Sequence, residues 1–448
     1  MKIAIAGYGV EGKSSYAYWN TPEYDVTIAD ERVALDDAPE GAKTILGEGA
    51  FDKLQDFDLV IRSAGVAPRK ITTNGKIWSA TNEFFAQCAE KNVPIIGVTG
   101  TKGKGTTCSL IASILRAAGE TVHLVGNIGT PALDILPEIR ENDIVVCELS
   151  SFQLWDLERS PQIAVVLMIE PDHLDVHADF EEYLEAKANI RRYQKSSDVC
   201  IYHPTNIFSE KVAATPLRYE TIEGRKGQDS LLDNAHKYAV SDDDEVYVEE
   251  GFFCIQGRQI CSIDNLQIAG VHNVENACAA ISAVTELPGW PKIITREHVA
   301  EGLRNFHGLP HRLKFVRDIR GVRYYDDSIA TTPGSAIAAL RAFDQPKLII
   351  LGGSDKGADY SEIIAVAKQT NSRVLAIGQT GAKIHQLCLE RGVSVEREEG
   401  LMPDVVNHAA AMAHPGDIVI LSPASASFDQ YKSYADRGEQ FVAAVNLR

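Results

Sequence analysis

The sequence predicts an α/β protein with largely parallel sheets, and three observations support this fold class. An apolar strand at 3–6 runs into the glycine-rich turn 7–12. A second apolar strand, 93–98, runs into another glycine-rich turn and then into a segment with helical spacing. From residue 305 onward, apolar strands alternate with helical segments, which is typical of a doubly wound α/β domain.

Length and composition limit the possible classes of protein. At ~150 residues per domain, 448 residues suggest three domains, which we place at 1–92, 93–304 and 305–448. The balance of 62 acidic and 44 basic residues gives a net charge of −18, which argues against a nucleic-acid surface because phosphate backbones require clustered Lys and Arg. The eight cysteines are scattered without a CxxC pair and are expected to be small buried hydrophobes in a reducing compartment.

We expect a soluble, cytoplasmic protein. The first residues run straight into a strand and do not have the shape of a signal peptide. No apolar run approaches the ~18 residues that a membrane helix requires.

The first region carries a GxGxxG turn at Gly7, Gly9 and Gly12, and a second strand ends in Asp30, 18 residues after Gly12. This pattern fits a dinucleotide fingerprint in which the acid meets a ribose hydroxyl. It indicates a phosphorylated ligand without identifying it. A later strand runs into Ser63 and Gly65, which either bind a ligand at the strand end or serve as plain turn residues.

The second region carries the stretch VTGTKGKGTT between its strand and its helix. This layout is typical of a phosphate-binding loop, in which backbone N–H groups and one lysine, here Lys104, contact phosphates. The spacing departs from a strict Walker A motif. Gly105 stands where a magnesium-binding hydroxyl is usual, and Thr106 could take that role. A flexible turn that happens to carry lysines is the alternative.

Three further residues could join the phosphate loop. Glu148 ends a buried strand, and an acid at that place is the usual second holder of magnesium. His173 lies in the loop EPDHLD, whose acids and imidazole suit a hard metal only with more oxygen ligands. Lys187 lies in a helix predicted at 180–193 and would be either a buried, reactive amine or an ordinary solvated lysine.

The remaining candidates lie near residue 273 and in the third region. Asn273 and Asn276 share one face of an Ala-rich helix and either read a base edge or cap the helix. A strand ends in Asp326 and Asp327, and a serine-rich stretch, 422–427, follows the last strand. Those serines either seat a carboxylate at a helix N-terminus or act as ordinary N-caps. The acidic stretch 241–250 is expected to be exposed, and a hairpin is predicted to turn at Gly257-Arg258.

Taken in order, the motifs resemble those of the Mur ligase family. They are TGTKGKGTT, GNIG, ELSSFQL, PDHLD, GVHNVENA, GLPHR, DDSIATTP, LGGSDKG and SPASASFDQY. The resemblance spans nearly the whole chain and weakens over 196–262. It implies an N-terminal Rossmann-like UDP-binding domain, a central P-loop ATPase domain and a C-terminal doubly wound domain. It also implies an ATP-dependent amide ligase that adds D-glutamate to UDP-N-acetylmuramoyl-L-alanine in peptidoglycan precursor synthesis, through an acyl phosphate and a tetrahedral intermediate.

The resemblance also implies roles for individual residues. The UDP-substrate would be bound by Val10, Glu11, Asp30, Ser63, Gly65 and Asn127. ATP would be bound by Gly103, Lys104, Gly105, Thr106, Thr107, Asn276, Arg312 and Asp327. Two magnesium ions would be held with the help of Thr106, Glu148, His173 and Lys187, the last as a carbamate. Lys104, Glu148, His173 and Lys187 would be catalytic. Glutamate would be bound by Thr331, Lys356, Ser427, Phe428 and Tyr434. A monomer without nucleic-acid or membrane partners is expected.

Ile329 is a second departure, because the familiar family pattern DSKATN has a lysine at this position. Its loss leaves open a variant ligase that adds L-glutamate or another amino acid. A ligase resembling folylpolyglutamate synthase is a second alternative, against which the N-terminal GxGxxG domain speaks. A nucleotide-gated binding protein that never turns over is the third.

Overall fold

The computed structural model describes residues 1–126, 130–218, 234–239, 245–288 and 290–448. These residues form two compact units. The first comprises Met1–Asn265 and Glu275–Asn305, and the second comprises Leu266–Val274 and Phe306–Arg448.

The first sheet has five parallel strands in the order β3-β2-β1-β4-β5. The elements are β1 Lys2–Ala6, α1 Val10–Trp19, β2 Asp25–Asp30, β3 Lys43–Leu46, β4 Leu59–Arg62, β5 Lys76–Ser79 and α2 Ala80–Glu90, with short 3₁₀ helices at Ala50–Lys53 and Pro68–Lys70. The central strand β1 is buried at every position after Lys2, as expected for a parallel strand that is covered on both faces. The GxGxxG motif therefore begins at the carboxyl edge of this sheet and runs into the first turn of α1, with Gly9 as the N-cap.

The second sheet has six parallel strands in the order β11-β10-β9-β6-β8-β7. The elements are β6 Ile95–Thr99, α3 Lys104–Ala117, β7 Val122–Gly126, α4 Ala132–Ile135, β8 Ile144–Glu148, α5 Ser151–Leu154, β9 Ile163–Val166, α6 Phe180–Arg192, β10 Val199–Tyr202, α7 Ile207–Ala213 and β11 Ala235–Lys237. One cluster of buried apolar side chains runs from the first sheet through the second. This shared core fixes the carboxyl ends of the two sets of strands within one unit.

A small antiparallel sheet, β12-β13-β14, follows. The elements here are β12 Tyr247–Glu249, β13 Phe252–Ile255, β14 Arg258–Ser262, a 3₁₀ helix Ile263–Asn265, α8 Val271–Thr285 and α9 Arg296–Asn305. The predicted hairpin is confirmed, but its turn lies at Gln256 and Gly257, one position before the predicted Gly257-Arg258. The expected exposure of 241–250 is wrong for Glu245, Val246 and Tyr247, which are buried. Val246 donates its N–H to Ser282 Oγ of α8 at 3.2 Å, and Tyr247 pairs with Cys254 of β13. Residues 241–244 lie outside the described residues.

The second unit contains a six-stranded sheet in the order β15-β16-β20-β17-β18-β19. The elements are β15 Lys314–Ile319, β16 Val322–Asp326, α10 Pro333–Arg341, β17 Lys347–Gly352, α11 Ser361–Gln369, β18 Arg373–Ile377, α12 Gly381–Arg391, β19 Val395–Glu398, α13 Met402–Met412, β20 Ile418–Leu421 and α14 Tyr434–Asn446. Only the edge pair β15–β16 is antiparallel in this sheet. Leu348 and Ile350 pack into one apolar cluster, and Ile349 and Leu351 into another. This alternation covers both faces of the sheet, as the doubly wound prediction requires.

The predicted α/β class with parallel sheets is confirmed, whereas the exact domain boundaries stay predictions. Seven of the eight cysteines are buried, Cys261 is half-buried, and all have free thiols. Among the described residues, no helix combines the length and the apolar character that a membrane span needs.

Candidate active site

The phosphate loop joins β6 to α3, as predicted. Gly100 has φ +148° and Gly103 has φ +87°, which are values that L side chains rarely adopt. A Cβ at Gly103 would also lie 2.5 Å from Asn276 Oδ1. Gly103 is the N-cap of α3 and supplies no side-chain cap, so the first N–H groups of this 14-residue helix can face an anion.

Lys104 and the residues after it occupy the first turn of α3. The Lys104 ammonium donates hydrogen bonds to the carbonyl oxygens of Gly100 and Thr101, each 3.1 Å away. Thr106 and Thr107 are buried, and Thr107 Oγ1 lies 3.4 Å from Asn276 Oδ1. The predicted ATP-binding residues of this unit therefore come together at the loop, including Asn276 from α8.

Glu148 lies at the end of β8, which pairs with the strand that leads into the phosphate loop. Its register partner is Val98, and its side chain is buried. Thr99, the last residue of β6, donates its hydroxyl to the carbonyl oxygen of Leu149 at 2.8 Å. A carboxylate is thus fixed beside the loop, where a cation bound to phosphate would need one.

Lys187 completes this cluster from α6. Its ammonium contacts Thr99 Oγ1 at 3.2 Å and the Gly100 carbonyl oxygen at 3.0 Å, and it lies 4.7 Å from the centre of the Tyr183 ring. The side chain is 1% exposed, so the solvated alternative is wrong. Burial, and then the charge of Lys104, hold the pKa of Lys187 well below its usual range. This favours a neutral, nucleophilic amine.

His173 lies in a half-exposed loop and has φ +54°. Its backbone N–H donates to Asp172 Oδ1 at 2.9 Å, and its ring lies 4.8 Å from the Phe152 ring. In the described parts of the chain, no group of three or more His, Cys, Asp or Glu side chains is arranged to hold a metal ion. Glu148 and His173 would therefore need oxygen ligands from elsewhere, such as Thr106, a modified Lys187 or a nucleotide phosphate.

A cavity of about 610 Å³ opens at the carboxyl edge of the first sheet. It is also lined by residues of the second sheet region, among them Ser150 and Phe152. All described residues predicted for the UDP-substrate line it: Val10, Glu11, Asp30, Ser63 and Gly65. Asn127, the sixth, lies outside the described residues.

Asp30 orders one wall of this cavity. It accepts a hydrogen bond from the Tyr8 N–H at 2.7 Å and forms an ion pair with Arg32 at 2.9 Å. Burial alone would raise the pKa of Asp30, but hydrogen bonds from Arg32 and Tyr8 outweigh it and bring the pKa to about 2. Sequence reasoning missed Arg32, which places a cation at the cavity two residues after the fingerprint acid; that short spacing was a usable signal.

Glu11 and Arg62 fix the loop after β4, which also lines the cavity. Glu11 Oε2 accepts the Ala64 N–H at 2.6 Å, and burial raises the pKa of Glu11. The fully buried Arg62 forms two hydrogen bonds of 2.6 and 2.7 Å with Asp156 and one of 2.7 Å with the Phe152 carbonyl oxygen. It thereby ties the loop after β4 to the segment after α5. No local pattern could have paired residues 94 positions apart.

In the second unit, Asp327 directly follows β16 and is buried. It accepts hydrogen bonds from Ser422 Oγ at 2.6 Å and from the Leu313 N–H at 3.0 Å. Burial raises the pKa of Asp327 to about 7. Arg312, the neighbour of Leu313, is exposed and partly offsets that rise through its charge.

The residues predicted for glutamate lie on three loops at the carboxyl edge of the same sheet. The Lys356 ammonium lies 5.7 Å from the centre of the exposed Phe428 ring. Ser427 is buried, whereas Thr331 and Tyr434 are exposed. Ile329 is half-buried and donates its N–H to the His311 carbonyl oxygen at 3.1 Å.

The serines at 422–427 are not N-caps, so that alternative is wrong. The next helix, α14, begins at Tyr434 and is capped by Ser433. Ser422 instead bonds to Asp327, and Ser425 Oγ lies 2.6 Å from the Tyr360 hydroxyl.

Comparison with known proteins agrees with this arrangement. Residues 98–284 match the Mur ligase middle domain, and residues 311–425 match the Mur ligase glutamate ligase domain. The UDP-N-acetylmuramoylalanine--D-glutamate ligase of Clostridium kluyveri is 33% identical over 99% of this chain and 96% of its own length. The protein of the same name from Acetivibrio thermocellus is 34% identical over the same shares of both chains.

Two solved structures share the fold. UDP-N-acetylmuramate-alanine ligase MurC from Thermotoga maritima has a TM-score of 0.59 at 16% identity, covering 100% of this chain and 99% of its own. MurF ligase from Thermotoga maritima in complex with ADP has a TM-score of 0.56 at 16% identity, covering 100% and 95%. The matched domains and the full-length relatives together confirm the resemblance seen in the motifs: the chain belongs to the Mur ligase family.

Proposed function

We propose that this chain is an ATP-dependent ligase that joins D-glutamate to UDP-N-acetylmuramoyl-L-alanine. The observation that carries the proposal is the convergence of Lys104, Glu148 and buried Lys187 on one phosphate loop, in the same unit as a cavity lined by the predicted UDP-substrate residues. The relatives that match almost the whole chain are named for this reaction.

In the proposed reaction, the terminal carboxylate of the UDP-sugar alanine attacks the γ-phosphorus of ATP, and ADP leaves. The N–H groups at the start of α3 and the Lys104 ammonium contact the phosphoryl oxygens as charge is redistributed. For this, Lys104 exchanges its two carbonyl partners in the loop for phosphate oxygens. The glutamate amine then attacks the acyl carbon and gives up a proton. The tetrahedral intermediate expels phosphate and leaves the amide.

Lys187 is proposed to react as a neutral amine with carbon dioxide: the N–C bond forms, one N–H proton is released to solvent, and an anionic carbamate remains. The modification exchanges a buried cation for an anion with two oxygens, which suits a hard metal ion. Thr106, Glu148, His173 and the carbamate would together hold two magnesium ions. Bound magnesium would supply positive charge to the transferring phosphoryl group.

The second unit is proposed to bind the ATP ribose through Asp327, a phosphate through Arg312, and the amino acid through the Lys356–Phe428 pair. Lys356, Thr331 and the turn at Ser427 offer donors for the carboxylates of glutamate, and Tyr434 would border them. Asn276 is proposed to contact the adenine, and Asn127 the muramoyl group. We place the UDP-substrate-binding domain at 1–92, the ATP-binding domain at 93–304 and the glutamate-binding domain at 305–448. The protein is proposed to be a cytoplasmic monomer that acts in peptidoglycan precursor synthesis.

Phosphate release tests this proposal against its alternatives. Purified protein, ATP and magnesium should release phosphate only when UDP-N-acetylmuramoyl-L-alanine and D-glutamate are both present. A nucleotide-gated binding protein would release none under any combination. A ligase of the folylpolyglutamate synthase type would release phosphate with a folate and glutamate while ignoring the UDP-sugar, and either result would overturn the proposal.

A further inference from the structure

Arg437, on the first turn of α14, has a guanidinium that is 0% exposed in the second unit. Nε donates to Ser328 Oγ at 2.9 Å, and Nη2 donates to the Ser328 carbonyl oxygen at 2.9 Å. Nη1 donates to the carbonyl oxygens of Ser425 and Ala426 at 3.1 and 3.3 Å. These four hydrogen bonds all end on uncharged oxygen atoms.

The guanidinium lies where three loops meet. Ser328 belongs to the loop after β16, and Ser425 and Ala426 belong to the loop after β20. The third loop follows β17: a Cβ at Gly353, whose φ is +153°, would lie 3.1 Å from Arg437 Nη1. Because Gly353 has no Cβ, the loop after β17 can pass close to the guanidinium without a steric clash.

These same three loops carry the residues proposed to bind the amino acid. Thr331 lies on the same loop as Ser328, Lys356 on the same loop as Gly353, and Ser427 and Phe428 on the same loop as Ala426. Ser328 Oγ also donates to the Tyr434 carbonyl oxygen at 2.8 Å, which fixes the start of α14 to the first loop. Arg437 therefore contributes to the relative positions of the donors in the pocket, together with backbone hydrogen bonds such as those from the Ser354 N–H to the Ala426 carbonyl oxygen and from the Ala424 N–H to the Ala330 carbonyl oxygen, each 2.8 Å.

The charge of Arg437 has a second consequence. Burial lowers its pKa to about 10, so the guanidinium stays protonated at neutral pH. None of its four hydrogen bonds ends on a carboxylate, but the charges of Asp429 and Asp326 partly offset the effect of burial. The carboxylate of a bound acidic amino acid would add to that favourable charge. Ile329, on the first loop, is apolar, and the cations beside these loops include Arg437 and Lys356.

We propose that Arg437 is a positioning residue of the amino-acid pocket, and that it raises the affinity for an acidic amino acid by joining the loops after β16 and β20, beside the loop after β17, with a buried positive charge. This inference rests on the proposed function. It assigns to Arg437 no contact with the reacting atoms.

The test compares Arg437→Lys and Arg437→Met with the unsubstituted enzyme in the phosphate-release assay, measuring a KM for each substrate. Arg437→Lys keeps the charge but loses the planar fork that bridges the loops. Loss of charged hydrogen bonds predicts a KM for D-glutamate raised about tenfold or more. Arg437→Met should raise it further, and the KM for ATP and for the UDP-substrate should stay within about twofold.

Arg373→Gln provides the matched control. Arg373 is the first residue of β18 and so lies at the amino ends of the strands, away from the loops that carry the pocket residues. Its guanidinium pairs with Asp417. This variant should lower the melting temperature without changing any KM. If an Arg437 variant raises all three KM values alike, or if Arg437→Lys leaves the KM for D-glutamate unchanged, the inference is wrong while the proposed function stands.

Two further results distinguish a failure of the proposed function from a failure of the role given to Arg437. If the unsubstituted enzyme does not ligate D-glutamate, the proposed function itself fails. If both Arg437 variants fail to fold, Ser328→Ala removes the hydroxyl that accepts from Nε and should raise the KM for D-glutamate about tenfold, on the scale of one hydrogen bond to a charged group. An unchanged value in a folded Ser328→Ala variant overturns the inference.

Discussion

The Lys187 ammonium lies 3.0 Å from the carbonyl oxygen of Gly100, inside the phosphate loop. A buried lysine at this distance from a phosphate-binding backbone brings a second amine to a place that Lys104 already serves. Burial, and then the charge of Lys104, hold the pKa of Lys187 well below its usual range, which favours the uncharged amine that the proposed modification requires. The contact thus links the fold of α6 to the chemistry of the loop.

Lys187→Ala should abolish ligation, because the variant loses the proposed carbamate that would hold magnesium. Exposed Lys195 offers a matched control on the same segment of chain, and Lys195→Ala should retain full activity. Short carboxylates added to Lys187→Ala should restore part of its rate by replacing the missing oxygen ligands. Spectroscopy with ¹³C-labelled carbon dioxide should show one carbamate signal that the variant lacks. Full activity in Lys187→Ala would remove Lys187 from the mechanism.

Lys104→Ala should leave the fold intact and reduce the ligation rate. Removing one donor to a transferring group costs about 3–4 kcal/mol, or roughly two to three decades in rate. Lys102, whose side chain is 67% exposed and pairs with Glu170, is the control within the same loop, and Lys102→Ala should remain near the rate of the unsubstituted enzyme. Single-turnover rates with saturating ATP measure the difference. Near-normal turnover by folded Lys104→Ala would refute the role given to the loop.

Asp156→Ala should destabilise the first unit, because it leaves the Arg62 guanidinium buried without its carboxylate. The expected loss in free energy of unfolding is about 3 kcal/mol, with a higher KM for the UDP-substrate because Arg62 also holds the loop that lines the cavity. The exposed Lys76–Glu158 pair provides the control, and Glu158→Ala should change stability by no more than about 0.5 kcal/mol. Urea unfolding measures both, and equal effects would contradict the structural role of Arg62.

The raised pKa of Asp327 predicts that the stability of the fold decreases as pH rises, whereas a salt-bridged carboxylate would make stability increase with pH. Its pKa of about 7 in the fold exceeds the value of about 3.9 in an unfolded chain. The folded state therefore binds a proton that the unfolded state releases, and stability falls as pH rises from about 4 to about 7. Asp327→Asn cannot titrate, so from about pH 5 to about pH 8 it should gain on the order of 3 kcal/mol relative to the unsubstituted protein.

Urea unfolding of both proteins at the two pH values measures this difference. The asparagine amide can still bond to Ser422 and accept from Leu313, which keeps the comparison close to isosteric. A difference between the two proteins that does not change with pH would show that Asp327 is ionised in the fold throughout.

The sequence was sufficient to predict the phosphate loop, because strand, glycines, lysine and helix are contiguous and each has a local physical signature. It was also sufficient for the strand-end acids Asp30, Glu148 and Asp327, since parallel strands bring their carboxyl ends to one edge. It left Lys187 undecided, because burial of a helical lysine depends on how α6 packs against β6. Arg62 and Arg437 were not found, because each depends on a partner far away in sequence, Asp156 at 94 positions for Arg62 and Ser328 at 109 positions for Arg437. Such contacts exist only in the assembled fold.

The identity of the amino acid tests the proposed function most directly, since Ile329 stands where the family pattern DSKATN has a lysine. Phosphate release and product mass should be measured with D-glutamate, L-glutamate, D-aspartate and lysine, using the unsubstituted enzyme and Ile329→Lys. We predict ligation of D-glutamate by both. The KM of the unsubstituted enzyme should be about tenfold higher than that of Ile329→Lys, as one missing charged hydrogen bond implies. A clear preference for L-glutamate or for an amino acid without an acidic side chain would contradict the pocket proposed here.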